Sequence, residues 1–207
     1  MVFANIIAWV HFNPGTTAFM QDGLDRLQEK KPSATLKHQW VDYPAISNNL
    51  KRAVIASEDS GFVKHAGVEV EAMEKAFSRN LKRGRITHGG STITQQLAKN
   101  LFLSPQRSYF RKAQELIITG MIEITWSKKR ILEVYLNVVE WGNGVYGAQA
   151  AARYYFGVNA SQLSAWQAAK LAAMLPNPRF YDKNRNSSYL LRKTGTVQAR
   201  MGQVAVP

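Results

Sequence analysis

One run limits what this chain can fold into more than any other: "KAQELIITGMIEITW", residues 112 to 126. Drawn as a helix, it carries apolar side chains on nearly every face, and such a helix predicts a place at the centre of a core. Glu115 stands near its start, so a carboxylate is carried toward the interior. A buried carboxylate requires cations or a functional reason. Arg111 and Lys112, four and three residues earlier, share its helix face and supply the cations. An ordinary salt bridge would look the same in sequence.

Around that run the pattern is helical, with no alternating β pattern of any length, so the class is mainly α. "AISNNLKRAVIAS" repeats Ile46, Leu50, Ala53 and Val54 at three- and four-residue spacings, which places Glu58 at or just past a helix C-terminus. "VEAMEKAFSRNLKRG" reads as a second helix with Gly84 as its stop. In "GGSTITQQLAKNLFL", Thr92 and Gln95 make a capping box, so a helix starts near Ile93. "KRILEVYLNVV" follows, then a glycine-rich loop, then helices over 146–156 and 161–174, and "LPNPRFY" ends the regular structure. At 207 residues and 45% hydrophobic content this is one domain with a real core and not a disordered chain.

Charge is the outlying property. With 27 basic against 14 acidic residues the formal charge is +13. That surplus attracts nucleic acid, an anionic bilayer or a phosphate-bearing substrate, and alone does not choose among them. The absence of cysteine excludes disulfides and thiolate metal sites. The apolar start "MVFANIIAWVHF" would reach about 18 Å as a helix, short of the roughly 30 Å hydrocarbon layer. It reads as the tail of a longer anchor, an interfacial helix, or a buried first element. Lys99, Arg107, Arg111 and Lys112 are interleaved with Leu101, Phe102, Leu103, Tyr109 and Phe110. This mixture suits single-stranded nucleic acid or a membrane interface, with Phe102, Leu103 and Phe110 inserting. Together with free backbone N–H groups at the "GGST" helix start it also suits a phosphate or pyrophosphate.

The stretch "ASEDSGFVKHAG" sets Glu58 and Asp59 side by side. At a helix C-terminus the macrodipole is negative; with partial burial it is expected to raise the Glu58 carboxyl toward the range of a general base. The plain alternative is a solvated helix end. His65 reads as a hydrogen-bonded structural residue. "GNGVYG" matches the dinucleotide fingerprint but follows a helical run, not a strand, and reads as a turn that lets helices pack closely. "KTG" at 193–195 and "SNN" at 47–49 lack an S-x-x-K partner and carry no nucleophile.

Taken in order, these pieces resemble the family 51 peptidoglycan glycosyltransferases, in particular the monofunctional branch without a transpeptidase domain. "EDSGFVKHAG" is similar to the family's first motif, "GGSTITQQLAKN" to the second, "RKAQE" to the third, "KKRILEVYLN" to the fourth and "GNGVYGAQAAARYYFG" to the fifth. The resemblance covers about residues 38 to 180. It implies a lysozyme-like helical lobe with a smaller hydrophobic membrane-facing lobe. The implied layout is an apolar N-terminal segment at 1–20, a catalytic domain at 38–180 and a C-terminal tail at 181–207. The implied reaction polymerises lipid II into β-1,4 glycan with release of undecaprenyl pyrophosphate, at the periplasmic face of the bacterial inner membrane. Glu58 would be the general base and Glu115 the second carboxylate. Lys99 and Arg107 would neutralise the pyrophosphate, with Gln95, Gln96 and Arg111 lining the site. No tightly bound cofactor is implied, and a divalent cation at the pyrophosphate is compatible with it. The implied partners are lipid II, the growing glycan, the membrane surface and division or elongation proteins, and not nucleic acid. Val158, Gln149 and Gln167 depart from residues frequent in the family. A glycan-cleaving enzyme of lysozyme type is the nearest rival, with less use for Lys99 and Arg107.

Overall fold

The computed structural model of the chain describes residues 2–69, 90–105 and 108–207. Its helices are α1 (Val2–Ala8), α2 (Ala18–Gln28), α3 (Asn48–Glu58), α4 (Ile93–Phe102), α5 (Tyr109–Thr125), α6 (Lys128–Val138), α7 (Ala148–Phe156), α8 (Ala165–Met174), α9 (Pro178–Lys183) and α10 (Ser188–Arg200). The helix expected over "VEAMEKAFSRNLKRG", its Gly84 stop and Arg107 lie outside the described residues.

Helix starts follow the side chains that precede them. Ser47, Ser108, Ser127 and Ser187 each accept a backbone N–H of the first turn, and Thr92–Gln95 and Ser164–Gln167 form full capping boxes. Each cap satisfies a donor that the helix leaves open, worth about 1 kcal/mol. The boundaries expected for α3, α4 and α6 agree with those observed.

The helices form two packed groups. In one, α8 lies against both α3 and α10, and its Ala168, Ala169, Leu171, Ala172, Ala173 and Met174 are fully enclosed. In the other, α4 packs on α2, α5 and α6, and α1 lies on α5. A three-stranded sheet, order β1-β3-β2, is built from β1 (Lys37–His38), β2 (Glu140–Gly142) and β3 (Val145–Tyr146), and packs on α7 and α9. β1 is parallel to β3, and β2 is antiparallel to it. Strands of two or three residues show no alternation, which is why the sequence pattern did not reveal them. Of the "GNGVYG" glycines, Gly142 ends β2, Gly144 lies in the β2–β3 turn and Gly147 caps α7. A Cβ on Gly142 would strike the Tyr155 hydroxyl, and Gly144 and Gly147 hold positive φ.

Three expectations are corrected. α5 does not sit at the centre of the core. Its buried stripe is Glu115, Ile118, Thr119 and Ile122, against α4, while Phe110, Ile117 and Ile124 on the other side are 75%, 60% and 87% exposed. The seven-residue α1 is too short to cover that side, although Trp126 Nε1 donates to the Ile6 carbonyl at 2.8 Å and Ile6 is fully buried. Second, Leu103 is buried and Phe102 stacks on Trp9 at 5.2 Å between ring centres, so neither is free to insert into a bilayer. Third, regular structure does not stop at "LPNPRFY". Pro178 begins α9, where its missing N–H costs nothing, and α10 buries Leu190, Thr194 and Val197 against α3 and α8.

Candidate active site

The two adjacent acids part at the end of α3. Glu58 is its last helical residue. Its Oε1 accepts from the Ser57 hydroxyl at 2.9 Å, and its Oε2 accepts from Gln96 Nε2 of α4 at 3.2 Å. Gln96 is fixed in turn, because the Tyr135 hydroxyl of α6 donates to its Oε1 at 3.0 Å. Burial first, then the Glu58 and Asp59 charges, push the Tyr135 hydroxyl well above its ordinary value, so it remains a donor. Among the described residues, no ion pair reaches Glu58.

Asp59 turns inward and is consumed by structure. Its Oδ1 meets His65 Nε2 at 2.8 Å, and its Oδ2 accepts the Ile93 N–H, the first of α4, at 3.0 Å. His65 Nδ1 accepts from the Gly67 amide, which puts the ring proton on Nε2 and aims it at Asp59. Asp59, His65 and Glu69 lie close enough to suggest a metal cluster. These contacts do not fit one, since neither Asp59 oxygen is free and the His65 nitrogen facing it carries the proton. His65 is the structural residue its place in the sequence predicts.

Three amides at the start of α4 are already engaged. The Ile93 N–H is taken by Asp59, the Gln95 N–H by Thr92 Oγ1 and the Thr92 N–H by Gln95 Oε1. These three are withdrawn from the anion site expected at the "GGST" helix start. Gln95 is fully buried in its capping role, with its amide Nε2 unpartnered. Lys99 stands one turn before the end of α4, with its ammonium 5.4 Å from the Phe19 ring centre.

Glu115 is 3% exposed and fully paired. Lys112 Nζ bonds its Oε1 and also reaches Ser91 Oγ at 3.3 Å, while Arg111 Nη1 lies 3.9 Å from its Oε2. Arg111 keeps buried Nε and Nη1 donors without hydrogen-bond partners. The two carboxylates therefore differ in kind. Glu58 is held by neutral donors, whereas Glu115 is paired with two cations. Such a pair suits a reaction in which a proton is removed at one point and negative charge is met at another.

Sequence comparison decides what this arrangement belongs to. The sequence profile of the transglycosylase family matches residues 25–202. The chain belongs to the transglycosylase family. It is 60% identical over 205 residues to a biosynthetic peptidoglycan transglycosylase of Janthinobacterium sp. (strain Marseille), covering 99% of this chain and 89% of that one. Similar proteins of the same description occur in Thiobacillus denitrificans, at 58% over 206 residues, with 100% of this chain and 89% of that one covered. In Laribacter hongkongensis the figures are 56% over 206 residues, 100% and 90%.

Within the family frame two of the three departures noted in sequence have local reasons, and nothing in the structure explains Val158. Gln149 is buried, donates to Asn159 Oδ1 at 2.8 Å and accepts the Ala160 N–H at 2.8 Å, a double task no carboxylate performs. Gln167 closes the capping box of α8. Sequence reasoning did not single out Tyr135, although it lies within "KKRILEVYLN", nor did it connect Lys193 of α10 with Glu58.

Proposed function

We propose that this transglycosylase polymerises lipid II into β-1,4 glycan chains in bacterial cell wall synthesis, inverting the donor's anomeric carbon and releasing undecaprenyl pyrophosphate. Its relatives' description as peptidoglycan transglycosylases supports the polymer. The observation that carries the chemistry is the contrast between the neutrally held Glu58 and the ion-paired Glu115. In this reading the acceptor's 4-hydroxyl oxygen bonds to the donor's anomeric carbon as the carbon–oxygen bond to pyrophosphate breaks. The pyrophosphate departs with the bonding electrons, and the hydroxyl proton passes to Glu58. Glu115 orients Arg111 and Lys112, and these with Lys99 and Arg107 meet the charge on the leaving group. Gln96 aims the base. Division or elongation proteins are natural partners for such a polymerase.

The lipid tail gives the open side of α5 a purpose. Phe110, Ile117 and Ile124 recur every seven residues, and Val2, Phe3 and Ile7 of α1 are exposed as well. Among the described residues no helix is long and apolar enough to cross a membrane. In this reading the α5–α1 face, with the basic surplus, rests on the periplasmic face of the inner membrane.

Incubation of Glu58→Gln with labelled lipid II tests the assignment. Polymer formation should fall by at least about 10²-fold with an unchanged far-UV spectrum. Turnover above about a tenth of wild type would remove Glu58 as the base.

A further inference from the structure

α10 brings toward Glu58 a cation that no motif marks. Leu190, Thr194 and Val197 are buried where α10 meets α3 and α8. Lys193 lies three residues after Leu190 and four before Val197, so it shares that face, and it is half-buried. Glu58 ends α3 against the same support, because the Ser57 hydroxyl oxygen beside it lies 3.3 Å from the Ala172 carbonyl oxygen of α8. The end of α3 and the inner face of α10 therefore converge over α8. We propose that Lys193 is a positioning residue for the general base, its ammonium holding the Glu58 carboxylate ionised and turned toward the acceptor hydroxyl. The inference rests on Glu58 being the base.

Among the described residues, the Lys193 ammonium and the Glu58 carboxylate sense each other's charge. Burial pushes that ammonium below the ordinary lysine value, and Glu58 draws it back up. The other cations on the elements packed against α10 are engaged elsewhere or exposed. Lys51 of α3 lies 4.0 Å from the Tyr43 ring centre and feels Lys129 and Glu133, and Arg52 is exposed. Lys170 of α8 reaches Asn186 and is opposed by Arg185. Arg192 and Arg200 of α10 itself are exposed. On the α4 and α6 side of Glu58, Gln96 and Tyr135 are neutral, and Asp59 is committed to His65 and Ile93. The Lys193 charge acts through space, since among the described residues no ion pair joins it to Glu58.

Its effect follows the proton. After each bond-forming step Glu58 carries the proton taken from the acceptor hydroxyl. A neighbouring ammonium disfavours that neutral form, so the proton leaves for solvent and the base is restored. When Lys193 itself deprotonates the bias vanishes, so turnover should decline as pH rises through its depressed value.

pH–rate profiles of wild type, Lys193→Arg, Lys193→Met and Glu58→Gln on labelled lipid II test this, together with a ¹³C carboxyl titration of Glu58 in the first three. Lys193→Met should lose about tenfold or more in kcat with KM little changed, and should lack the alkaline limb. Lys193→Arg should keep turnover and carry that limb to higher pH. The Glu58 carboxyl signal should titrate at higher pH in Lys193→Met than in wild type. Equal loss in both lysine variants with a lowered melting temperature, or an unmoved Glu58 titration, would overturn the proposal. If Glu58→Gln stays active, the base assignment fails, and the carboxyl titration still decides whether Lys193 acts on Glu58. Should Lys193→Met not fold, Lys193→Gln takes its place with the same expectations.

Discussion

Helices α8 and α5 carry similarly apolar sequences and meet different surroundings. α8, "AWQAAKLAAM", is gripped by α3 and α10 and encloses small side chains. α5, "YFRKAQELIITGMIEIT", buries one stripe and leaves Phe110, Ile117 and Ile124 in the open. Small residues let two helices approach a third closely, whereas large ones left outside make an exposed apolar patch of the kind that marks an interaction surface. The difference shows that apolar content alone does not locate a helix. What matters is how many neighbours the chain supplies, and among the described residues α5 receives α4 on one side and the short α1 beside it.

The comparison breaks most easily at the open stripe. Replacing Phe110, Ile117 and Ile124 together with serine should abolish salt-resistant binding to anionic vesicles in co-sedimentation. Burying each such side chain is worth about 1.5–3 kcal/mol, so the combined loss should exceed 10²-fold. Folding stability should stay within about 0.5 kcal/mol, since exposed positions contribute little. Unchanged vesicle binding would mean that the stripe serves no membrane contact. The closed helix should respond in the opposite sense. Ala172→Leu forces added volume between fully packed helices and should cost about 1–3 kcal/mol in urea unfolding, with vesicle binding retained. A cost near zero would show that α8 is less tightly enclosed than its burial indicates. The smallest effect is expected at Gly120 on α5, where a Cβ meets nothing within 4 Å. Gly120→Ala should stabilise the fold by up to about 1 kcal/mol through helix propensity alone, read from the same unfolding curves.

Much of the site was legible because it depends on local rules. The Thr92–Gln95 box, the end of α3 at Glu58 and the shared face of Arg111, Lys112 and Glu115 are all set by residues within four positions of one another. What escaped depends on distant packing. Lys193 reaches the neighbourhood of Glu58 only because α10 folds back over α8, and "LPNPRFY" concealed that helix by reading as a run of breakers. At the start of α4 the Ile93 amide is taken by Asp59, 34 residues earlier in the chain. Phe102 and Leu103 follow a pattern suited to a membrane interface, but Trp9 and the core reach them first.

The splitting of Glu58 and Asp59 has a mechanical consequence. Asp59 grips the first amide of α4, and Gln96, one turn further along α4, grips Glu58. The end of α3 and the start of α4 are thus braced by two struts that share a corner, like the diagonal and upright of a truss. Sliding α4 along its axis would stretch both at once, and rotating it would swing Gln96 off the carboxylate while Asp59 holds the pivot. Asp59 fixes the frame against which the proposed base is aimed, so the exchange rate of the Ile93 amide with solvent deuterium is a gauge of whether that aim is intact.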